Sequence, residues 1–468
     1  MPRRPAKSSY HRFRALLGHE FFAPAQWQRR LALWSGGVLV GLAAIAFAQL
    51  ATLAYALFER LVAISPFLPL VLTPAVFAAL AFVTRGRLAA ARGSGIPEVI
   101  AAISVNDHAF RKRVLALPVA LGKMLMTLIG LAAGASIGRE GPTVHVGAGL
   151  MYWLGGRFGF DNPRQVSRFI LAGGGAGLAA AFNTPLAGIV FAIEELAGAY
   201  EHRVSGIILT TVIFAGVVSL GLMGNYSYFG IVDTDLPLGQ SWLAIGLCGV
   251  MGGIGGGLYS RIILLERGPL RRIAALRKRW PVWFALGCGL ALAIVGVLSG
   301  SQIYGTGYAQ AHALVQGTAT APAPFGLMKL GANILSYWAG IPGGIFSPAL
   351  AVGAGMGNTL AVWMPLANHS AVVLLGMAAF LAGVTQTPIT AAVISLELTA
   401  NHNMVVPLLA VCLLARGISS LFCRTPVYRA FAERAIAGYE RRQEQADQTT
   451  QAPAADAVPT PPEQDKSP

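Results

Sequence analysis

Long apolar runs alternate with short breaks rich in glycine and proline along most of this chain. The runs lie near 32–57, 66–83, 114–137, 205–223, 241–258, 282–299, 349–364 and 403–422. A helix needs about 20 apolar residues to cross the hydrocarbon core of a bilayer, and fewer if it is re-entrant. The pattern therefore predicts an all-α, polytopic membrane protein.

The composition supports this interpretation. Of the 468 residues, 55% are hydrophobic and only 12% are charged, whereas soluble globular proteins carry about a quarter charged residues. Between Gly317 and Met404 the only charged residues are Lys329 and Glu397. A soluble protein of this length is excluded.

Positive charge is concentrated outside the apolar runs, and the formal net charge is +15. Residues 1–30 are strongly basic, and so is the stretch Arg424–Arg442. Basic flanks prefer the cytoplasm, so we expect both termini there, with contacts to anionic membrane lipids. We expect a basic cytoplasmic segment at 1–30 and a disordered cytoplasmic tail at 438–468. No nucleic-acid-binding motif accompanies the charge, so nucleic acid is not an expected partner.

Two segments of the first half recur in the second. The spacing of glycines and proline is the same in Gly138–Gly149 and Gly344–Gly355, which start 206 positions apart. Thr184–Glu194 and Thr387–Glu397 also match, at 203 positions. Two matches in the same order indicate a duplication, as in many transporters. The membrane domain, 31–437, then divides into halves at roughly 31–225 and 240–437.

Three broken segments are candidates for binding an anion: 93–97 (GSGIP), 138–142 (GREGP) and 344–348 (GIFSP). Each places glycine and proline before an apolar stretch, which is typical of a helix N-terminus with free N–H groups. Several such ends aimed at one point bind an anion without a fixed cation. The simpler interpretation of any one segment is a kink or tight turn in a helical bundle.

Three side chains near these segments have candidate roles. Glu140 is an ionisable group at membrane depth, where such groups usually serve an ion path; the alternative is a structural Arg139–Glu140 loop pair. Ser94 can donate a hydroxyl to an anion, although membrane serines more often cap helices or bond neighbouring helices. Tyr428 can also donate, although a tyrosine there is more often an interfacial residue.

The motifs GSGIP, GREGP and GIFSP, followed by Tyr428, resemble the CLC family of chloride channels and chloride/proton antiporters, prokaryotic type without C-terminal CBS domains. The stretch AAFNTPLAGIVFAIEE at 180–195 and Lys123 are also similar to the family, and the likeness runs from about residue 30 to 435. It implies about 18 tilted and re-entrant helices in two inverted repeats. It also implies a homodimer in the plasma (inner) membrane, one pore per subunit, with 205–222 and 403–422 as candidate dimer surfaces.

The resemblance implies roles for individual residues. Glu140 is the gating glutamate, and chloride is the expected ion because serine, not proline, stands at position 94. The pattern also disfavours fluoride. The expected chloride-binding residues are Ser94, Arg139, Gly141, Ile345, Phe346 and Tyr428. No metal or other cofactor is expected; chloride and protons are the transported ions.

The resemblance favours an antiporter, because Glu195 stands where the family's antiporters carry an internal proton glutamate. The residues alone predict that both Glu194 and Glu195 cap a helix end. The alternative function is a passive voltage- or pH-gated chloride channel. An intramembrane enzyme lacks support, since no HExxH, Walker or GxSxG motif is present. A passive scaffold would leave Glu140 and the repeat unexplained.

Overall fold

The computed structural model describes residues 24–86, 88–198, 205–224, 226–236, 238–264, 270–319, 322, 324–364 and 368–451. Within these ranges the regular structure is helical, as predicted, apart from one isolated backbone bridge. Most of the expected N-terminal segment, residues 1–23, lies outside the described residues. Residues 24–30 already belong to the first helix.

The first half contains nine α-helices in the described residues. They are α1 (Pro24–Ile64), α2 (Pro69–Val83), α3 (Ile96–Ser104), α4 (His108–Leu115), α5 (Leu117–Ala132), α6 (Glu140–Arg157), α7 (Pro163–Phe182), α8 (Pro185–Phe191) and α9 (Ser205–Met223). A short 3-10 turn at Ala89–Ala91 precedes α3, and a π-helical segment at Ala192–Ala197 continues α8. Proline lies in the first turn of α2, α3, α5, α7 and α8, where its missing N–H costs nothing.

The second half repeats much of this order. Its helices are α10 (Leu238–Leu264), α11 (Leu270–Arg279), α12 (Pro281–Leu298), α13 (Tyr308–Val315), α14 (Phe325–Ala339), α15 (Phe346–Val362), α16 (His369–Thr385), α17 (Pro388–Thr399), α18 (Val405–Phe422) and α19 (Val427–Gln451). Helix α15 corresponds to α6, α16 to α7, and α17 to α8.

Six helical stretches among the described residues are long and apolar enough to cross a membrane. They are Trp27–Ile64, His108–Ala132, Gly206–Met223, Trp242–Leu264, Pro281–Leu298 and Val405–Phe422. The apolar runs predicted at 66–83 and 349–364 form shorter helices, α2 and α15. Most side chains of α15 are buried inside the protein. This burial accounts for the apolar run in a helix too short to be a candidate span.

Helices α7 and α16 form the centre of the two halves. All residues of α7 from Phe169 to Phe182 are buried, and so are all residues of α16 from Ala371 to Thr385. Both helices are therefore apolar on every side, as expected for helices enclosed by protein. Each central helix packs against the helix that begins at a broken segment, α6 in the first half and α15 in the second.

Glycines bring α7 against α6 and α16 against α15. A Cβ on Gly147 would lie 2.3 Å from the carbonyl oxygen of Gly173, and one on Gly353 would lie 2.5 Å from that of Gly376. Such close backbone contact is typical of helices packed through small residues in membranes. The same glycine contact thus occurs in both halves.

The tail departs from expectation. Residues 438–451, expected to be disordered, continue α19 to Gln451. Alanine, glutamate, arginine and glutamine favour the helix here, and the side chains of Tyr439 and Gln443 bond to Asp107 (2.6 and 3.3 Å). The low hydrophobicity of residues 438–451 therefore did not predict their helical structure. Residues 452–468 lie outside the described residues.

Candidate anion and proton site

The three broken segments meet at one place. The N–H of Gly138 donates to the carbonyl of Gly344 at 2.7 Å, and the N–H of Gly344 donates to the carbonyl of Gly138 at 2.7 Å. The N–H of Gly343 donates to the carbonyl of Gly93 at 3.2 Å. Helices α6 and α15 both start beside this junction and run away from it, as expected for inverted halves.

Free N–H groups lie at the starts of these helices. Among the described residues, the N–H groups of Gly141, Ile345 and Phe346 have no hydrogen-bond acceptor. Gly95, just before α3, has φ of +104°, a conformation that glycine adopts without strain. The helix N-termini supply partial positive charge at a buried point. The arrangement can therefore bind an anion through the backbone.

Two unpartnered hydroxyls lie at this point. Ser94 and Tyr428 are each 1% exposed, and neither side-chain oxygen has a hydrogen-bond partner among the described residues. The Ser94 hydroxyl lies close to Tyr428, because α3 packs against α19. Buried hydroxyls normally have partners, so this pair is available to donate to a ligand.

Gly141 is required beside Ser94. A Cβ at position 141 would lie 2.3 Å from the Ser94 hydroxyl oxygen and 2.7 Å from the Ser94 carbonyl oxygen. Only a bare backbone fits there, and the Gly141 N–H has no hydrogen-bond acceptor among the described residues. The sequence-predicted residues Ser94, Gly141 and Tyr428 are thus brought together.

Ile345 and Phe346 form the second-half wall of the site. Both are 2% exposed, and the Phe346 ring lies 6.2 Å from the rings of Phe182 and Phe191. This aromatic cluster fixes the start of α15 and therefore the direction of its N–H groups. Apolar walls also exclude water, which strengthens electrostatic attraction to the N–H dipoles.

Glu140 is fully buried at the first residue of α6. Its carboxylate accepts the hydroxyl of Ser347 at 2.5 Å through Oε1 and the Ser347 N–H at 3.4 Å through Oε2. The carboxylate of one half therefore lies against the helix start of the other half. An anionic side chain here occupies the kind of environment that a free anion would occupy.

Arg139 lies in a different position from the hydroxyl pair. Its Nη1 donates to the carbonyl of Ala48 at 2.8 Å, and the side chain lines a cavity of about 440 Å³. Tyr226, Tyr228 and Tyr308 line the same cavity. The alternative of an Arg139–Glu140 ion pair finds no support, since no contact within 4 Å joins them among the described residues.

Glu195 lies in the π-helical segment after α8 and is 2% exposed. The hydroxyl of Thr387 donates to its Oε2 at 3.2 Å and also bonds the Thr385 hydroxyl at 2.8 Å. Glu194 points elsewhere, and its carboxylate accepts N–H groups at the start of α17. Adjacent residues on a helix face different directions, which separates the two carboxylates as expected.

Sequence reasoning missed the partners of both glutamates. The sequence assigns no role to Ser347, which lies within GIFSP, and it marks Thr387 only as part of the repeat. Ser347 occupies the position that corresponds to Gly141, so the duplication itself carried the signal. Among the described residues, no group of three or more His, Cys, Asp or Glu side chains is placed to hold a metal ion.

Comparison with known proteins gives consistent results. The family profile described as "Voltage gated chloride channel" matches residues 76–420. The H(+)/Cl(-) exchange transporter ClcA of Cronobacter sakazakii is 32% identical over 434 residues, covering 88% of this chain and 91% of the relative. The protein of the same name from Yersinia pestis bv. Antiqua is 30% identical over 391 residues, covering 79% of this chain and 78% of the relative.

Solved structures share the fold. A slow cyanobacterial Cl-/H+ antiporter superposes with a TM-score of 0.74 at 22% identity, covering 88% of this chain and 98% of that protein. A CLC-type fluoride/proton antiporter gives 0.71 at 24% identity, covering 84% and 95%. A eukaryotic CLC transporter gives 0.72 at 22% identity, covering 87% and 74%. The expected all-α fold is confirmed.

Proposed function

The chain belongs to the CLC family of voltage-gated chloride channels and transporters, and we propose that it exchanges chloride for protons across the membrane. It is a multi-pass membrane protein of a transporter family, not an enzyme. The single observation that carries the proposal is the fully buried Glu140 carboxylate beside free helix N-termini. A side chain that is itself an anion competes there with a transported anion.

Chloride binding rests on five residues in this proposal. The hydroxyls of Ser94 and Tyr428 donate to the ion, and the N–H groups of Gly141, Ile345 and Phe346 complete its shell. The unpartnered hydroxyls and unpaired N–H groups support this assignment. Binding through dipoles rather than a fixed cation allows the ion to leave again. Arg139 contributes positive charge in the neighbouring cavity.

Proton coupling rests on Glu140 and Glu195. An ionised Glu140 blocks the anion path, and protonation removes its charge and releases it from the site. Glu195 passes protons to the other side of the membrane. The burial of Glu195 beside Thr387 supports this role. An ionisable side chain at membrane depth is costly, and such groups usually line an ion or proton path. The motifs GSGIP and GREGP, and the relatives named H(+)/Cl(-) exchange transporters, support chloride rather than fluoride as the transported ion.

We further propose a homodimer in the inner membrane with both termini in the cytoplasm. The exposed apolar side chains of α9 and α18, including Val217 and Val406, supply candidate surfaces for the second subunit. The basic character of α11 and of the stretch Arg424–Arg442 supports a cytoplasmic location for that face.

The test uses purified protein in chloride-loaded liposomes. A chloride gradient is imposed and external pH is recorded with and without a proton ionophore. We expect chloride-driven uphill proton movement, lost in both Glu195→Gln and Glu140→Gln while chloride still passes. Glu444→Gln makes the same change at an exposed position of α19 and serves as the control.

The alternative is a passive chloride channel. Chloride flux without proton movement in the unsubstituted protein would favour it and would overturn the antiport proposal. Replacing chloride by fluoride in the same assay tests the ion. Faster exchange with fluoride than with chloride would contradict the proposed preference for chloride.

A further inference from the structure

A group of cations surrounds a cavity that is lined by residues of α11 and α19. We name it the basic cavity: about 420 Å³, lined by Arg92, Arg277, Lys278 and Arg434, with Ile263, Leu264, Ala274 and Phe431 as its apolar wall. A second cavity of about 640 Å³ adjoins it through Leu264 and Arg434. Arg261, Arg424 and Arg441 line the second cavity, and Glu433 is its only carboxylate in the described residues.

Three cations of the basic cavity have no carboxylate partner among the described residues. No described carboxylate lines the cavity, and none lies within 4 Å of Arg92, Arg277 or Lys278. The nearby Glu98 contacts Lys123 instead, at 3.8 Å. Positive side chains that gather without negative ones are typical of a site for an external anion.

The Arg92 side chain is packed in place, but its guanidinium has a donor without a hydrogen-bond acceptor. Its Nε is buried and has no hydrogen-bond partner in the described structure. The guanidinium lies on the bare backbone of Gly340, where a Cβ would be 2.6 Å from Nε. A buried donor without an acceptor destabilises the fold, so the arrangement is more stable when an acceptor enters the cavity.

Electrostatics point the same way. Burial, and next the neighbouring positive charge of Arg92, lower the pKa of the Arg277 guanidinium to about 10. Burial also lowers the pKa of Arg92. Burial disfavours the charged form of both groups, and a bound anion would favour it.

The dimensions fit a phosphate group with organic or further phosphate substituents. A volume near 420 Å³ falls in the range of small-molecule sites, about 300–1,000 Å³, and greatly exceeds that of one halide ion. Arginine guanidinium groups match phosphate oxygens in pairs of parallel hydrogen bonds. The apolar wall of Ile263, Leu264 and Phe431 suits the remainder of the molecule.

The cavity also lies near the expected level of lipid headgroups. Helix α11 carries Arg277 and Lys278 and leads directly into α12, one of the candidate spans. Trp280 and Trp283 lie at that transition and are 51% and 68% exposed. Exposed tryptophans at the end of a span are typical of the membrane interface.

We propose that the basic cavity binds a phosphate-bearing anion, either the headgroup of an anionic lipid or a soluble phosphate compound. Arg92 and Arg277 are its principal ligands, and Lys278 and Arg434 add positive charge. The site is separate from the chloride site, since none of its residues belongs to that set. The proposal of a phosphate site does not depend on whether the protein is an antiporter.

Binding is tested by thermal stability of the purified full chain in detergent. One arm adds inorganic pyrophosphate, with sodium chloride at equal ionic strength as reference. The other arm adds phosphatidylglycerol, with phosphatidylcholine as reference. The variants are Arg277→Gln and Arg92→Gln. The control is Arg272→Gln, which removes one charge from the same helix at an exposed position outside the cavity.

We expect at least one phosphate probe to raise the melting temperature of the unsubstituted protein and of Arg272→Gln. The apparent affinity should fall about tenfold or more in Arg277→Gln and in Arg92→Gln, since each removes a charge-assisted contact. A response to phosphatidylglycerol alone identifies a lipid headgroup, and a response to pyrophosphate identifies soluble phosphate. If Arg92→Gln does not fold, Arg277→Gln decides the question alone.

Two results would overturn the proposal. One is an equal response of Arg277→Gln and Arg272→Gln, which would mean general charge screening. The other is no response of the unsubstituted protein to either probe beyond its reference. Proton-coupled chloride flux in liposomes, measured on the same preparations, keeps this outcome distinct from failure of the antiport proposal.

Discussion

Glu194 and Glu397 each cap a helix that belongs to the other half of the chain. Glu194 accepts the N–H of Ile389 at 3.3 Å and that of Thr390 at 2.6 Å, at the start of α17. Glu397 accepts the N–H of Leu186 at 3.1 Å and that of Ala187 at 2.6 Å, at the start of α8. The two glutamates are 203 positions apart, as are the helices that they cap. The exchange fastens the two halves to each other.

Loss of either cap should destabilise the protein. Glu194→Gln and Glu397→Gln each remove a negative charge from a helix N-terminus, which should lower stability by about 1–2 kcal/mol. The measurement is the midpoint of thermal aggregation in detergent. Glu444→Gln should leave the midpoint unchanged. Unchanged midpoints in both cap variants would show that the interchanged contacts contribute nothing.

The Ser347 hydroxyl should slow chloride movement by holding Glu140. In Ser347→Ala the carboxylate loses its 2.5 Å contact and leaves the blocking position more readily. A hydrogen bond to a charged group contributes about 1.5–3 kcal/mol. We therefore expect chloride flux from liposomes at neutral pH to rise about tenfold or more. Because Glu140→Gln already lacks the charge, Ser347→Ala should add little in that background; a large further rise would contradict the mechanism.

Attachment of α19 should depend on pH through Asp107. A hydrogen bond from the Tyr439 hydroxyl, aided by the N–H groups of Ala109 and Phe110, lowers the pKa of Asp107 despite some desolvation. A carboxyl whose folded-state pKa is depressed stabilises the fold above its unfolded value, near 4, and loses that contribution as pH falls through the folded value. Tyr439→Phe should therefore lower the melting temperature at pH 6.

The same substitution should matter less in acid. The difference between Tyr439→Phe and the unsubstituted protein should begin to shrink below about pH 4 and vanish once the pH has fallen through the depressed folded-state pKa of Asp107, when the carboxyl is protonated in both. Melting temperatures across a pH series test this. A difference that stays constant down to the acid limit would assign the effect of Tyr439 to packing against Phe110.

Lys329 should be essential for a stable second half. The side chain is fully buried, and its amine donates to the carbonyls of Ile303 (2.8 Å), Tyr304 (3.3 Å) and Gly305 (2.8 Å). Lys329→Met leaves these carbonyls without their donor, which should cost about 3 kcal/mol or more. We expect little monodisperse protein in size-exclusion chromatography of this variant.

An exposed substitution provides the comparison for Lys329. Lys112→Met replaces a lysine by the same residue at an exposed position of α4. It should purify as the unsubstituted protein does. Equal recovery of the two variants would show that the three carbonyls find other donors.

Much of the fold was accessible from local patterns. Apolar runs with proline at their starts predicted helices, and the recurring spacing of Gly138–Gly149 and Gly344–Gly355 predicted the duplication. Glycine and proline mark positions where the backbone itself is constrained, so their spacing survives in the sequence as a readable signal. The convergence of the three broken segments followed from that spacing together with the resemblance.

Contacts between distant side chains were not accessible in this way. The partnership of Glu140 with Ser347, and that of Glu195 with Thr387, joins residues about two hundred positions apart, and no local rule pairs them. Lys123 and Lys329 are 206 positions apart, the offset of the main repeat. Both hold backbone carbonyls of a preceding loop. That correspondence was present in the sequence but is visible only when the carbonyl partners are known.

The paired hydrogen bonds between Gly138 and Gly344 have an evolutionary consequence. In an ancestor built from two identical half-length chains, these would be one glycine facing its own copy across a twofold axis. Two positions later, such an assembly carries either two glutamates or two phenylalanines. A fused chain is free of that restriction and carries Glu140 on one side and Phe346 on the other. In the proposed mechanism, fusion of the halves therefore allowed a gate on one face of the anion path and an apolar wall on the other.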